Sequence, residues 1–213
     1  MINQYRTRLT TVIVFAAVVC GWVLVNVVPG RADGDDRDDS ESRIQQGFAL
    51  VSGLHLNLKG KNRAQVGLGS YLVNGVGGCN DCHTNPPFAD GGDPTLGQPK
   101  RINADAYLGG GTLFIPASPG FRAIVSRNLT PDKTGLPEGG ASFEEFRSII
   151  RTGVDPDRAH PEYGPFLVVM PWPVYQGMTN HDLRAIYEFL SAIPCVEGDP
   201  GLPNPRPIGT RCQ

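Results

Sequence analysis

The segment "GGCNDCHTNPP", residues 77–87, holds two cysteines three positions apart, with a histidine directly after the second. On one turn of helix, Cys79 and Cys82 present their thiols on the same side, and the imidazole of His83 follows. Two thiols at this spacing can add across two vinyl groups while a nitrogen ligand lies under an iron. The pattern C-x-x-C-H therefore predicts a covalently attached haem c, with His83 as the proximal iron ligand.

Two other chemistries also use closely spaced cysteines. A structural zinc site needs four ligands, usually including a second closely spaced pair, and Cys20, Cys195 and Cys212 form no such pair. A thioredoxin-like redox pair lies in a βαβ setting, which the sequence around Cys79 does not show. We therefore expect a haem rather than zinc or a redox-active disulfide. Because C-x-x-C-H occurs once, we expect one haem.

Residues 1–32 have the pattern of an export signal. Arg6 and Arg8 precede a long apolar run over residues 12–25, and "GRA" offers small residues for cleavage after Ala32. The apolar run approaches the roughly 18 residues of a membrane-spanning helix, so an uncleaved membrane anchor is the alternative. In either case we expect the body of the protein to be exported to the periplasm, where c-type haem is attached. Any membrane contact would be made through this segment.

Charge and composition divide the rest of the chain. The acidic run at 33–43 is typical of a solvated, disordered linker. We expect a haem-binding domain over 44–194 and a Pro/Gly-rich tail over 195–213. The whole chain has 19 basic and 21 acidic residues, with no basic patch of the kind that binds nucleic acid.

Two cysteines bracket the tail. Cys195 and Cys212 are those left when Cys20 is assigned to the signal and the closely spaced pair to haem. An oxidising compartment permits a disulfide. We predict a Cys195–Cys212 disulfide that ties down the C-terminus, with two free thiols as the alternative.

A helix is predicted over residues 62–74, directly before the haem motif. Asn62 is a suitable N-cap. Gly67 and Gly69 each cost such a helix about 1 kcal/mol relative to alanine. Glycines kept at that cost predict a close approach by another backbone.

Two amphipathic helices are predicted in the second half of the chain. Ser142 and Glu145 form a capping box at the start of a helix over 142–153. Thr179 caps a second helix over 179–194. The apolar stripes of these helices contain Phe143, Phe146, Ile149 and Ile150 in the first, and Leu183, Ile186, Tyr187 and Leu190 in the second.

The segment between these helices and the haem motif is irregular. Residues 85–140 contain 18 glycines and prolines among 56 residues and show no sustained helical or strand period. So long an irregular stretch is uncommon in a compact domain unless it has a function. We expect loops over the haem with short helices near "NADAYL" and no strands. The predicted fold class is all-α, with few helices around one haem.

A second axial ligand has five candidates. Met170 stands in "LVVMPWPVY", where Pro171 and Pro173 stiffen the chain and could present a thioether at fixed geometry. Met178 directly precedes a helix cap and is more typical of packing. The histidines have polar neighbours that favour the surface. We predict Met170 over the other candidates, which are Met178, His55, His160 and His181.

Four stretches together resemble a known family: "GSYLVNGVGGCNDCHT", "NLTPDKTGLPEGGASFEEF", "IRTGVD" and "MPWPVYQGMTNHDLRAIYEFLSAIP". Over residues 62–194 the chain is similar to monohaem class I cytochromes c, especially the domains found with bacterial membrane-associated alcohol and aldehyde dehydrogenases. The resemblance implies a cytochrome c fold and assigns the axial methionine of "MPW" to Met170. It also implies a helix crossing made by Gly67 and Tyr71 against Tyr187.

The predicted function is electron transfer without catalysis by the chain itself. A His83/Met170 pair would fill both axial positions, so that single electrons pass between a donor and an acceptor redox protein. A membrane dehydrogenase or an oxidase is the expected partner. Those dehydrogenase subunits often carry several such domains, whereas this chain has one motif. The alternative is a haem enzyme with an open distal site that acts on peroxide or another small ligand.

Overall fold

The computed structural model describes residues 35–114, 124–159, 162–197 and Cys212. The expected export segment over 1–32 and the candidate ligand His160 lie outside these residues. The chain divides into two units, Met1–Asp38 and Asp39–Gln213, and apart from the first turn of the N-terminal helix the features below belong to the second. No helix within the described ranges has the length and apolar character needed to cross a membrane.

An N-terminal helix, α1, spans Asp35–Leu50 and differs from the disordered linker predicted for 33–43. Beyond residue 43, its C-terminal part is held by contacts that composition does not reveal. Ser70 donates a 2.6 Å hydrogen bond from Oγ to the carbonyl oxygen of Gly47, in a buried setting. A Cβ on Gly47 would overlap the backbone of Gly67, so α1 lies against the next helix at backbone distance.

The predicted helix before the haem motif is confirmed as α2, Arg63–Tyr71. The Asn62 side chain accepts hydrogen bonds from two backbone N–H groups of the first turn, at 3.0 and 3.2 Å. A π-helical turn, Leu72–Val76, continues the chain into the short helix α3, Cys79–His83. Gly78 precedes α3 with φ of 60°, a left-handed conformation that favours glycine. This turn lets the motif begin a new helix.

The C-terminal helix α6, Asn180–Leu190, makes the most extensive contact with α2 among the described elements. Its predicted start is confirmed by a capping box between Thr179 and Asp182. A Cβ on Gly69 would overlap the backbone of Ala185, which confirms the predicted approach of another backbone.

The residues that the resemblance assigned to the crossing of α2 and α6 are wrong. The resemblance assigned it to Gly67 and Tyr71 against Tyr187, but Gly67 faces α1. Residues two apart on a helix are about 200° apart around its axis, so only Gly69 faces α6. Tyr187 turns the other way, and its hydroxyl donates a 2.9 Å hydrogen bond to the carbonyl of Ala141.

The predicted helix over 142–153 is confirmed as α4, Phe143–Thr152. Both halves of the capping box between Ser142 and Glu145 are present. Gly153 ends the helix with φ of 67°, and a Cβ there would also overlap the ring of Trp172. The helix presents Phe146 and Ile150 to the core. With them the core contains Val66, Val73, Tyr107, Leu108, Leu183, Phe189, Leu190 and Ile193.

The glycine- and proline-rich middle forms loops, as predicted. Short 3₁₀ turns occur at Pro94–Leu96 and Ala104–Ala106, the second within "NADAYL", and a third follows at Pro156–Arg158. A two-stranded antiparallel sheet that was not predicted pairs β1, Leu113–Phe114, with β2, Ile124–Val125. Two-residue strands carry too little periodicity for a sequence pattern. The described structure is otherwise mainly helical, which agrees with the predicted class.

The chain closes with two further features. A single-turn helix α5, Trp172–Tyr175, follows the "MP" dipeptide and precedes α6. The predicted disulfide between Cys195 and Cys212 is present, with Cα atoms 5.7 Å apart. It closes a loop whose sequence separation is 17 residues. Most of the intervening tail lies outside the described residues.

Candidate cofactor site

A largely apolar cavity lies between α3, α4, α6 and the loops around them. The space between atoms there is about 720 Å³, a figure that includes the open solvent at its mouth. Its walls are contributed by residues far apart in the chain. Six that define its two sides are Cys79, His83, Arg127, Met170, Tyr175 and Met178.

His83 forms the proximal side of the cavity. Its ring nitrogen Nδ1 donates a 2.8 Å hydrogen bond to the carbonyl oxygen of Arg127, so Nε2 keeps a free lone pair. Burial lowers the pKa of His83, which favours the neutral imidazole that binds metals. The carbonyl of His83 accepts a 2.7 Å hydrogen bond from the amide of Gly110. The ring is thus oriented and held in one tautomer.

The turn that carries His83 is fixed by buried hydrogen bonds. The Thr84 hydroxyl donates to Oδ1 of Asn80 at 2.8 Å and accepts from the amide of Leu108 at 2.9 Å. The Asn80 amide donates in turn to the carbonyl of Pro87 at 2.9 Å. Asn80 and Thr84 are both buried. The proximal turn is therefore tied to two loops of the irregular middle segment.

Cys79 and Cys82 are both free thiols. Cys79 lines the cavity, and burial raises the pKa of its thiol to about 11. Cys82, on the same helix, is exposed and is not among the residues that line the cavity.

The distal side contains two thioethers. Met170 and Met178 both line the cavity, and each is half-buried. His55 and His181, two of the candidate histidines, are exposed and lie outside the lining. The structure therefore brings the predicted Met170 to the site, together with a second methionine. The choice of Met170 over Met178 stays a prediction.

Tyr175 connects the two sides. It lines the cavity, and its hydroxyl donates a 2.9 Å hydrogen bond to the carbonyl of Gly77, two residues before Cys79. Burial raises the pKa of Tyr175, so the hydroxyl stays protonated and able to donate. The bond ties α5, which follows Met170, to the start of the haem motif.

The donor set fits a haem better than zinc. A neutral imidazole with a free Nε2 faces a cavity that has thioether sulfurs among its other lining groups. Within the described ranges, no group of three or more His, Cys, Asp or Glu side chains is arranged to hold a metal ion. An apolar cavity with few ligands suits a planar macrocycle that brings four nitrogen ligands of its own.

Comparison with known proteins points to the same chemistry. This chain is similar to the cytochrome c subunits of bacterial dehydrogenases. It is 28% identical over 155 residues to the gluconate 2-dehydrogenase cytochrome c subunit of Pantoea cypripedii, covering 70% of this chain and 28% of that subunit. It is also 28% identical over 144 residues to the quinone alcohol dehydrogenase cytochrome c subunits of Gluconacetobacter polyoxogenes and Komagataeibacter europaeus. Those matches cover 67% of this chain and 25% of each subunit.

The extent of these matches bounds what they imply. The chain spans about a quarter of the length of the curated relatives it matches. No family model matches the chain, and no solved structure matches it. The predicted resemblance to dehydrogenase cytochrome subunits is nevertheless confirmed by the relatives themselves.

The sequence analysis missed a charged cluster beside the cavity. The guanidinium of Arg127 pairs closely with the carboxylate of Asp155 and lies 3.6 Å from that of Glu138. Arg127 and Glu138 line the cavity, and Asp155 is buried. The three residues lie on separate loops without a shared motif. In the structure, Glu138 has φ of 56°, which is unusual for a residue other than glycine, but this conformation cannot be read from the sequence.

Proposed function

We propose that this chain is an electron-transfer cytochrome c that carries one covalently bound haem. Cys79 and Cys82 would form the thioether links, with His83 and Met170 as the axial ligands. One observation carries the proposal: the C-x-x-C-H turn opens onto an apolar cavity that has methionines among its lining residues. A protein that fills both axial positions favours electron transfer over ligand chemistry.

The residues around the cavity suit this role. Bound haem supplies a one-electron Fe(II)/Fe(III) couple. The backbone carbonyl of Arg127 accepts a hydrogen bond from Nδ1–H of His83, which orients the ring and strengthens it as a ligand. A methionine ligand favours the ferrous state and raises the reduction potential. The apolar lining excludes water and acts in the same direction.

We propose a dehydrogenase as the redox partner and the periplasm as the location. The similar proteins are named as cytochrome c subunits of gluconate 2-dehydrogenase and quinone alcohol dehydrogenase. The basic and apolar pattern of residues 1–32 supports export, either with cleavage or as a membrane anchor. Single electrons would pass from the dehydrogenase through this chain to an acceptor protein by transient contacts, typically smaller than about 1,200 Å².

Haem attachment tests the first part of the proposal. The double substitution Cys79→Ala with Cys82→Ala should abolish covalent haem, measured by haem staining after denaturing electrophoresis. The matched control is Cys195→Ser with Cys212→Ser. This variant also loses two cysteines, those of the disulfide, and it should retain the haem stain. Covalent haem in the first variant would refute the assignment of the motif.

Carbon monoxide separates the carrier from the alternative haem enzyme. A carrier with both axial positions filled should keep its ferrous spectrum when carbon monoxide is added. An enzyme with an open distal site should bind the gas at once and show a shifted absorption band. The second outcome would favour chemistry on peroxide or another small ligand.

A further inference from the structure

Asp155 occupies a junction between the two sides of the cavity. It is 4% exposed, and its carboxylate pairs with the guanidinium of Arg127. The backbone carbonyl oxygen of that same Arg127 accepts a hydrogen bond from Nδ1 of His83, with 2.8 Å between the two atoms. A buried carboxylate is thus two contacts away from the proximal ring.

Asp155 also holds the segment that leads to the distal side. Its amide donates a 2.8 Å hydrogen bond to the carbonyl of Pro165. Immediately beside it, Val154 forms an antiparallel bridge with Phe166, and Leu167 donates a 2.8 Å hydrogen bond to the carbonyl of Gly153. Leu167 lines the cavity three residues before Met170.

We propose that Asp155 is a positioning residue for both axial sides of the site. This inference rests on the proposed haem. The carboxylate fixes Arg127, and through its carbonyl the His83 ring. The backbone around Asp155 fixes the segment that ends at Met170. One buried residue, through its side chain on one side and its backbone on the other, thereby couples the supports of two proposed ligands that lie far apart in the chain.

The charges around Arg127 make this coupling specific. The Arg127 side chain is only 16% exposed, so its guanidinium favours a carboxylate partner, and close charge-assisted bonds of this kind are directional. Glu138 lies farther away, at 3.6 Å, and comes from a different loop. If Asp155 loses its charge, Arg127 is drawn toward Glu138 and its main chain moves with it. The hydrogen bond from His83 is the first contact that such a movement would loosen.

Hydrogen exchange in the ferrous holoprotein tests the proposal. Local opening exposes individual protons to solvent, so the exchange rates of the His83 Nδ1 proton and the Leu167 amide report each side separately. In Asp155→Asn the weakened pair with Arg127 also loosens the backbone of Asp155 that holds the Leu167 segment. We therefore expect both rates to rise by at least about tenfold, the effect of losing one charge-assisted hydrogen bond. Asp157→Asn is the control, because Asp157 is exposed and only its backbone contacts Asp155. That variant should leave both rates unchanged.

A second variant keeps the test informative if Asp155→Asn does not fold. Arg127→Lys preserves the charge but cannot form the same planar pair, so it should speed exchange at both protons, with the larger increase at His83, whose partner is the Arg127 carbonyl. Asp155→Glu should restore part of the protection at both protons. Equal rates in Asp155→Asn and Asp157→Asn would overturn the inference, as would a uniform rise that includes the core amide of Phe189. Absence of covalent haem from the wild-type protein would instead overturn the proposed function.

Discussion

The proximal and distal walls of the cavity are built in opposite ways. The proximal wall is made from a short stretch of sequence, and buried hydrogen bonds fix the orientation of His83 and the conformation of Thr84. The distal wall is made from flexible, apolar side chains, with Met170 and Met178 both in reach of the cavity. The first wall presents one candidate ligand, whereas the second presents two.

This difference suggests how the two walls should respond to change. Hydrogen-bonded networks lose much stability when one member is removed, because a buried partner is left unsatisfied. Apolar walls tolerate substitution better, since methionine adapts to irregular space. We therefore expect proximal changes to affect stability first and distal changes to affect the haem spectrum and potential first.

The largest expected effect comes from Met170→Ala. Loss of the proposed thioether ligand should open the ferrous iron to carbon monoxide and lower the reduction potential by at least about 59 mV, a tenfold change for one electron. Redox titration and carbon monoxide spectra measure both effects. The matched variant Met178→Ala should leave the spectrum unchanged and lower the free energy of unfolding by about 2 kcal/mol. If the two variants exchange their behaviour, Met178 is the ligand.

A proximal substitution of intermediate size is Thr84→Val. It preserves shape but removes the partner of the Leu108 amide and of Oδ1 of Asn80, so the free energy of unfolding should fall by about 1–3 kcal/mol. Chemical denaturation measures this loss. The control Thr134→Val removes an exposed hydroxyl that bonds only within its own turn, and should change stability by less than about 0.5 kcal/mol. Carbon monoxide binding by Thr84→Val would contradict the division between the walls.

The smallest expected effect is that of Tyr175→Phe, which removes the hydrogen bond between the walls. Losing the contact with the Gly77 carbonyl should lower the free energy of unfolding by about 1 kcal/mol. Because the ring still fills the cavity wall, the ferrous spectrum should stay that of the wild type. Tyr71→Phe is the control, and denaturation curves of the two variants should differ in midpoint. Identical midpoints would show that the bond contributes nothing to joining the walls.

Local patterns predicted the helices because their determinants are local. The caps at Asn62, Ser142 and Thr179 act within one turn, and all three were found where the sequence indicated. The need for a close backbone neighbour could also be inferred, since glycine in a helix has a known cost. Which of the two glycines approaches which helix could not be inferred from the sequence. Gly67 and Gly69 look alike in sequence, and only the directions of α1 and α6 distinguish them.

The sequence by itself determined the capped helices and the cysteine pair of the tail, and it predicted a covalent haem at C-x-x-C-H with His83 as a ligand. The motif and the caps depend on local residue spacing. The tail pair follows because Cys195 and Cys212 are the cysteines that remain once the other three are assigned. Tertiary structure decided that α1 is a packed helix and that two methionines, rather than one, reach the cavity. It also brought Arg127 and Asp155 together beside His83. These features depend on contacts between residues distant in the chain, and the burial that makes such contacts strong exists only after the loops have folded around the cavity.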